Sequence, residues 1–205
     1  MDDPAAPSRP PAQQSEQLRA LLKTKRDAKT YFCQASEILN ATDHMPRQER
    51  FTRCLAEIRE GNCTTWQMAK RISTWLFWRI RRIFLGPYAR GTNKSTPIES
   101  LNLATGEFVD IKPMAEIIRT LNETAHNRGL WFSPDMRLLC GQRQKVEKKT
   151  EKIIVDGTGE MRQLRNTVFL EGSYCSCPHV AFGGCSRHEY VYWREIWLRR
   201  APDER

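Results

Sequence analysis

Between Glu16 and Asn40, Leu18, Leu21, Leu22, Phe32, Ala35, Ile38 and Leu39 recur at helical spacing, and the pattern predicts a first helix there. Pro46 suits the opening turn of a second helix reaching about Glu60, and Gly61-Asn62 tolerate the positive φ that stops it. Thr64 or Thr65 can cap a third helix, which runs to about Leu85 and ends at Gly86-Pro87. Its apolar stripe is Ala69, Ile72, Leu76, Ile80 and Ile83, widened to most of the circumference by Trp66, Trp75, Phe77, Trp78 and Phe84. A helix apolar on most sides belongs inside, so this segment is predicted to be the central helix of the domain.

Beyond it, Leu101 to Ile111 reads as a short hairpin, and Pro113 opens a helix through Asn127 with Met114, Ile117, Ile118 and Leu121 on one face. Ser133-Pro134-Asp135 is a helix start that leads into the basic run Gln142 to Lys149. Ile153-Ile154-Val155 and Thr167-Val168-Phe169-Leu170 flank Asp156-Gly157-Thr158-Gly159 and predict a second hairpin. A last helix is expected from about His188 to Arg200. Met1 to about Ser15, rich in Pro, Ala, Gln and Ser, cannot bury enough apolar surface to order itself and is expected to be a disordered tail. The expected fold is α+β and mostly helical: one domain over residues 16–205, with two short β-hairpins and a C-terminal zinc-stapled knuckle at about 172–200.

Charge narrows the partners. With 33 Lys and Arg against 24 Asp and Glu, the chain carries +9, which favours nucleic acid, an anionic membrane surface or an acidic protein. Solubility alone is the plainer reading of the same charge. The most apolar window, Thr64 to Leu85, holds Lys70, Arg71, Arg79, Arg81 and Arg82, so no membrane-spanning segment is expected. An arginine-rich helix lying on a membrane interface is the remaining membrane option. One basic cluster is Arg79, Arg81 and Arg82 with Arg90 beyond; the other is Arg143, Lys145, Lys148, Lys149 and Lys152. Paired with phosphates, such residues give salt-sensitive binding to RNA or single-stranded DNA, and Trp78, Tyr88 or Trp131 can stack on unpaired bases. Alternatively the second cluster is a solvated helix face interleaved with Glu147 and Glu151, and the tryptophans are core.

Of seven cysteines, Cys33, Cys54, Cys63 and Cys140 stand singly in apolar or helical contexts and read as reduced thiols. Cys175, Cys177 and Cys185 cluster, and with His188 they supply four ligands of the type that holds Zn²⁺ in a structural site; His179 is the competing fourth ligand. Two unrelated thiols and two surface histidines are the simpler alternative. No phosphate-binding glycine loop, Gly-x-Ser-x-Gly or His-Glu-x-x-His motif occurs, and Glu189 and Glu195 read as solvated helix residues. The chain is therefore expected to bind rather than to catalyse. A metal-dependent nuclease is the enzymatic alternative, against which stands the lack of clustered carboxylates.

The order of motifs between Phe77 and Arg200 resembles the small nuclear phosphoproteins of bocaparvoviruses and related parvoviruses. The resembling stretches are Phe77-Trp78 with nearby arginines and Gly91-Thr92-Asn93; Trp131 followed by Arg137, Leu138, Leu139 and Gln142; and Cys185-x-x-His188, Tyr192-Trp193 and Arg199-Arg200. His188 stands where that family has a cysteine, and the N-terminus is Pro/Ala/Gln-rich rather than Arg/Ser-rich. The resemblance implies a non-enzymatic protein of the host nucleus that supports viral DNA replication and pre-mRNA processing. It further implies viral nucleic acid, the viral replication initiator and host RNA-processing proteins as partners.

Overall fold

A computed structural model describes residues 25–46, 48–86, 88–175 and 187–202, which fall into two units. One comprises residues up to Asp43 together with Lys152–Gln163; the other holds His44–Glu151 and Leu164–Arg205.

The larger unit contains helices α1 (Glu49–Arg59), α2 (Thr65–Leu85) and α3 (Met114–Ile118). Its strands are β1 (Phe108–Ile111), β2 (His126–Asn127), β3 (Leu130–Trp131), β4 (Arg143–Lys149), β7 (Thr167–Leu170), β8 (Trp193–Arg194) and β9 (Leu198–Arg200). The smaller unit supplies the hairpin β5 (Lys152–Ile154) and β6 (Met161–Gln163). There the Tyr31 N–H donates to the Gly159 carbonyl at 2.7 Å. A Cβ at Gly159 would crowd the Tyr31 carbonyl at 2.7 Å, so this glycine permits the close approach.

Five strands of the larger unit form an antiparallel sheet in the order β8-β7-β4-β1-β9. Its two outermost strands are consecutive in the chain, joined only by the 3-10 turn Glu195–Trp197. Laid flat, the edges of five strands stand roughly 19 Å apart at ~4.8 Å per gap. Three residues of 3-10 helix advance only about 6 Å. The sheet must therefore curl strongly into a barrel-like shape that brings the ends of β8 and β9 within one short turn of each other, although the two strands do not pair. A register shift between Val146 and Lys148 adds a bulge to β4 and sharpens the coil.

Inward positions of the barrel are Val109, Ile111, Val146, Val168, Leu170, Trp193 and Leu198, all fully buried. The 31 residues between β1 and β4 fold over them and contribute Ile117, Leu121, Phe132 and Met136. Phe132 meets Trp197 edge-on at 5.2 Å and Trp193 at 6.2 Å. Both indoles are satisfied: Trp193 Nε1 donates to Ser173 Oγ at 2.7 Å and Trp197 Nε1 to Thr120 Oγ1 at 3.1 Å.

Local signals succeeded where they were complete in themselves. The third expected helix is α2, with Thr64 and Gln67 forming a reciprocal capping box and Gly86 at its end. The second is α1, packed on α2 through Cys54, Ile58, Cys63, Met68 and Ile72.

The mostly helical fold class is corrected, because the chain is 28% helix and 22% strand, with a five-stranded antiparallel sheet in the larger unit. Residues 25–40 are turns rather than the end of a first helix; the expected tail, residues 1–15, lies outside the described residues. β1 pairs with β4 and β9, not with Leu101–Leu103. The helix from Pro113 stops at Ile118, and the expected basic helix is a 3-10 turn, Pro134–Leu139, followed by β4. β5 pairs with β6, whereas Thr167–Leu170 belongs to the barrel. The last helix is β8, a 3-10 turn and β9. Finally, α2 is not central: of its side chains only Met68 is buried, while Phe84 is 79% exposed.

Candidate nucleic-acid interface

The C-terminal half of α2 is tied to the barrel by a run of rings. Trp78 meets Tyr88 at 5.5 Å, and Tyr88 stacks on Phe132 at 6.4 Å, which in turn packs on Trp197. The Tyr88 hydroxyl donates to the Phe132 carbonyl. Burial, reinforced by the Asp135 carboxylate, pushes the Tyr88 phenol above its ordinary value of 10.0. A tyrosine whose folded pKa is raised contributes stability that is intact below about pH 10 and is lost as the unfolded chain ionises first. The melting temperature of the wild-type protein should thus fall between roughly pH 9 and 11 more steeply than that of Tyr88→Phe, which cannot ionise. Parallel slopes in thermal melts of the two proteins would refute this.

Between α2 and the β2–β3 hairpin lies an open groove of about 650 Å³, lined by Trp75, Trp78, Arg79, Arg81, Arg82, Tyr88, His126 and Trp131. Arg79 lies over the Trp75 ring at 5.5 Å, and Arg81 and Arg137 lie over Trp78 at 5.5 and 5.6 Å. Among the described residues no carboxylate pairs with Arg79, Arg81 or Arg82, and α2 itself contains no Asp or Glu. Arg79 and Arg82 are exposed, and half-buried Arg81 donates to the neutral Gly86 carbonyl at 3.2 Å, which leaves its charge unpaired. Trp131 is 41% exposed at the groove wall. A concave surface of guanidinium groups and indole rings offers phosphates a counter-charge and bases a stacking face.

The other basic residues are placed differently. Arg90 faces Glu123 at 3.6 Å, Arg143 pairs with Asp110 at 3.0 Å, Lys145 with Glu171 at 3.1 Å and Lys149 with Glu151 at 3.6 Å. Lys148 is exposed on β4. This second cluster is a strand rather than a helix face, and most of its charge is met by neighbouring carboxylates. The structure thus brings together Arg79, Arg81 and Arg82 and separates them from the rest. Trp75 and His126 line the groove and Arg137 packs on Trp78 at its wall, none of them having been named as a binding residue; only the fold reveals these roles.

Of the expected zinc ligands, Cys175 and His188 lie at the mouth of the loop between β7 and β8. The Cys175 N–H donates to the Glu189 carbonyl at 2.7 Å, and the His188 ring stacks on Tyr174 at 4.3 Å. Cys177, Cys185 and the competing His179 lie outside the described residues. Among the described residues no group of three His, Cys, Asp or Glu side chains is placed to hold a metal ion, so the zinc-stapled knuckle forms no part of the fold described.

No family model, curated protein or solved structure matches this chain. The likeness to the parvoviral phosphoproteins rests on its short motifs alone. Several of those residues have structural work here. Gly91 lies against the Leu121 carbonyl, which a Cβ would overlap, and Asn93 Nδ2 donates to the carbonyls of Arg119 at 2.5 Å and Leu121 at 3.0 Å. Trp193 is core, and Arg199 and Arg200 pair with Glu116 and Glu107. Among the described residues no helix is long and apolar enough to cross a membrane.

Proposed function

We propose that the chain binds single-stranded nucleic acid in the groove between α2 and the β2–β3 hairpin, and holds it without transforming it. The observation that carries this reading is the juxtaposition of three arginines, which no carboxylate pairs among the described residues, with the indoles of Trp75, Trp78 and Trp131. Phosphates along one side would meet Arg79, Arg81 and Arg82, and an unstacked base would lie against Trp131. Duplex DNA offers no unstacked base, so discrimination in favour of single strands follows.

Binding of a fluorescent oligonucleotide should weaken steeply as salt rises, because each neutralised phosphate releases condensed counterions. Trp131→Ala should weaken it about tenfold at every salt concentration, the loss of one stacked base. Arg82→Gln should instead lower the slope of log affinity against log salt by about 0.7, as one single-strand phosphate contact is lost. Absence of binding at low salt by a folded protein defeats the proposal.

The second reading, a protein-interaction adaptor, is favoured by the outer face of α2. Leu76, Phe77, Ile80, Ile83 and Phe84 are exposed there within an arc of about 120° at ~100° per residue. A folded chain that ignores oligonucleotides would leave this reading standing. The parvoviral resemblance would place either activity in a host nucleus, and imaging of the tagged protein in cells tests that setting.

A further inference from the structure

On the other side of the β2–β3 hairpin from the groove is a smaller pocket of about 190 Å³, lined by Arg128, Arg165, Arg194, Asn127, Asn166 and Glu99. The hairpin divides the two sites, with His126 lining the groove and Asn127 and Arg128 the pocket.

Arg194 is the fixed element of the pocket. Its Nη1 donates to the Arg165 carbonyl at 2.8 Å and to Thr167 Oγ1 at 3.1 Å, and its Nη2 to the Arg128 carbonyl at 3.2 Å. These partners are neutral, so they orient the guanidinium without neutralising it. The Nε is buried and has no hydrogen-bond partner. Among the described residues neither Arg128 nor Arg194 is paired with a carboxylate, and Glu99, the one acid in the lining, is turned to Lys112 Nζ at 2.8 Å. Burial and the charge of Arg128 both press the Arg194 pKa downward, which marks an unneutralised pair of cations.

The backbone around the pocket is also unusual. Arg128 has φ +45° and Asn166 φ +51°, left-handed conformations that a long side chain such as arginine rarely adopts. Both are held: the Arg128 N–H donates to Thr96 Oγ1 at 2.8 Å, and the Asn166 carbonyl accepts from the Glu195 N–H at 2.9 Å. Strain of this kind persists where surrounding structure imposes it, and here it surrounds one cavity.

We propose that this pocket is a binding site for a single phosphate group, either free or part of a nucleotide chain. A half-buried guanidinium held only by neutral acceptors, beside a second guanidinium, calls for an anion to complete its electrostatics. At roughly 30 Å³ per water the cavity admits one phosphoryl group with a few waters. It does not need the groove to be a nucleic-acid site.

The test uses the full-length protein and inorganic phosphate, titrated against sodium chloride at matched ionic strength, with thermal unfolding and calorimetry as readouts. Phosphate should raise the melting temperature where chloride does not. Arg128→Asn, a residue that tolerates the left-handed backbone, should weaken phosphate binding about tenfold while leaving the phosphate-free melting temperature close to wild type. Arg128→Lys should retain part of the binding. If phosphate then competes with an oligonucleotide, and Arg128→Asn lowers the oligonucleotide salt slope, the natural phosphate belongs to a nucleic acid. If the two bind together without interference, it is a free phosphate or small phosphorylated molecule. Equal stabilisation by phosphate and chloride, or wild-type phosphate affinity in Arg128→Asn, overturns the proposal.

Discussion

Replacing Trp197 with alanine is expected to remove about 3–5 kcal/mol of stability, in a domain whose total is of the order of 5–15 kcal/mol. Trp197 is fully buried, meets Phe132 edge-on at 5.2 Å and Trp193 at 6.4 Å, and donates its indole N–H to Thr120. It also occupies the 3-10 turn that joins the two edge strands, so the void opens where the two edges of the sheet approach each other. Neighbours cannot collapse into that space without pulling β8 from β7 or β9 from β1. Trp66→Ala is the internal control, because Trp66 is 77% exposed and its loss should shift stability by no more than ~0.5 kcal/mol. Urea denaturation of both variants gives the comparison. Similar midpoints would mean that this junction of the edge strands carries little of the fold's stability.

How far the fold can be read from the chain depends on whether a signal is local. The capping box of Thr64 and Gln67 is contained in four residues, and α2 follows from it. Residues 188–200 defeat the same reasoning. Trp193, Ile196 and Trp197 have helical spacing, yet four consecutive residues, Glu195 to Leu198, are buried. That pattern has neither the period of a strand nor that of a helix, because the chain is crossing from one edge of the barrel to the other. In β4, Lys, Gln and Glu favour a helix intrinsically, while partners on β1 and β7, about twenty residues or more away on either side, impose a strand. The apolar stripe of α2 misleads in the opposite sense. It consists of two faces, one against α1 and the barrel and one left to solvent, which a count around the helix cannot separate. The groove was partly legible: Arg79, Arg81, Arg82, Trp78, Tyr88 and Trp131 are candidates in the sequence, whereas their meeting in one cavity with His126, roughly fifty residues downstream of the arginines, is a product of the fold.

Glu195 is the residue whose character the fold changes most. Next to Arg194, it has the look of a solvated acid, yet it is 1% exposed. Its Oε2 accepts from the Leu101 N–H at 2.6 Å, the Asn102 N–H at 3.0 Å and Ser100 Oγ at 3.4 Å. Asn102 is itself held at φ +49°, so the carboxylate fixes a turn that would not otherwise keep this shape. Glu195→Ala should cost about 2–4 kcal/mol, since it takes the acceptor from two backbone amides at once and removes charge-assisted bonds. Glu195→Gln should cost less, about 1–2 kcal/mol, because an acceptor oxygen remains although the charge is gone. The two adjacent charged residues do not pair with each other; Arg194 holds the carbonyls of Arg128 and Arg165 while Glu195 holds the amides of Leu101 and Asn102. Each neutralises backbone dipoles from separate loops, so exchanging the two should not rescue either single variant. Hydrogen exchange at Leu101 and Asn102 gives the sharpest readout, with acceleration in Glu195→Ala and near wild-type protection in Glu195→Gln. A denaturation midpoint for Glu195→Ala equal to wild type would mean that water replaces the carboxylate without loss, and that its burial contributes nothing to holding the loop on the barrel.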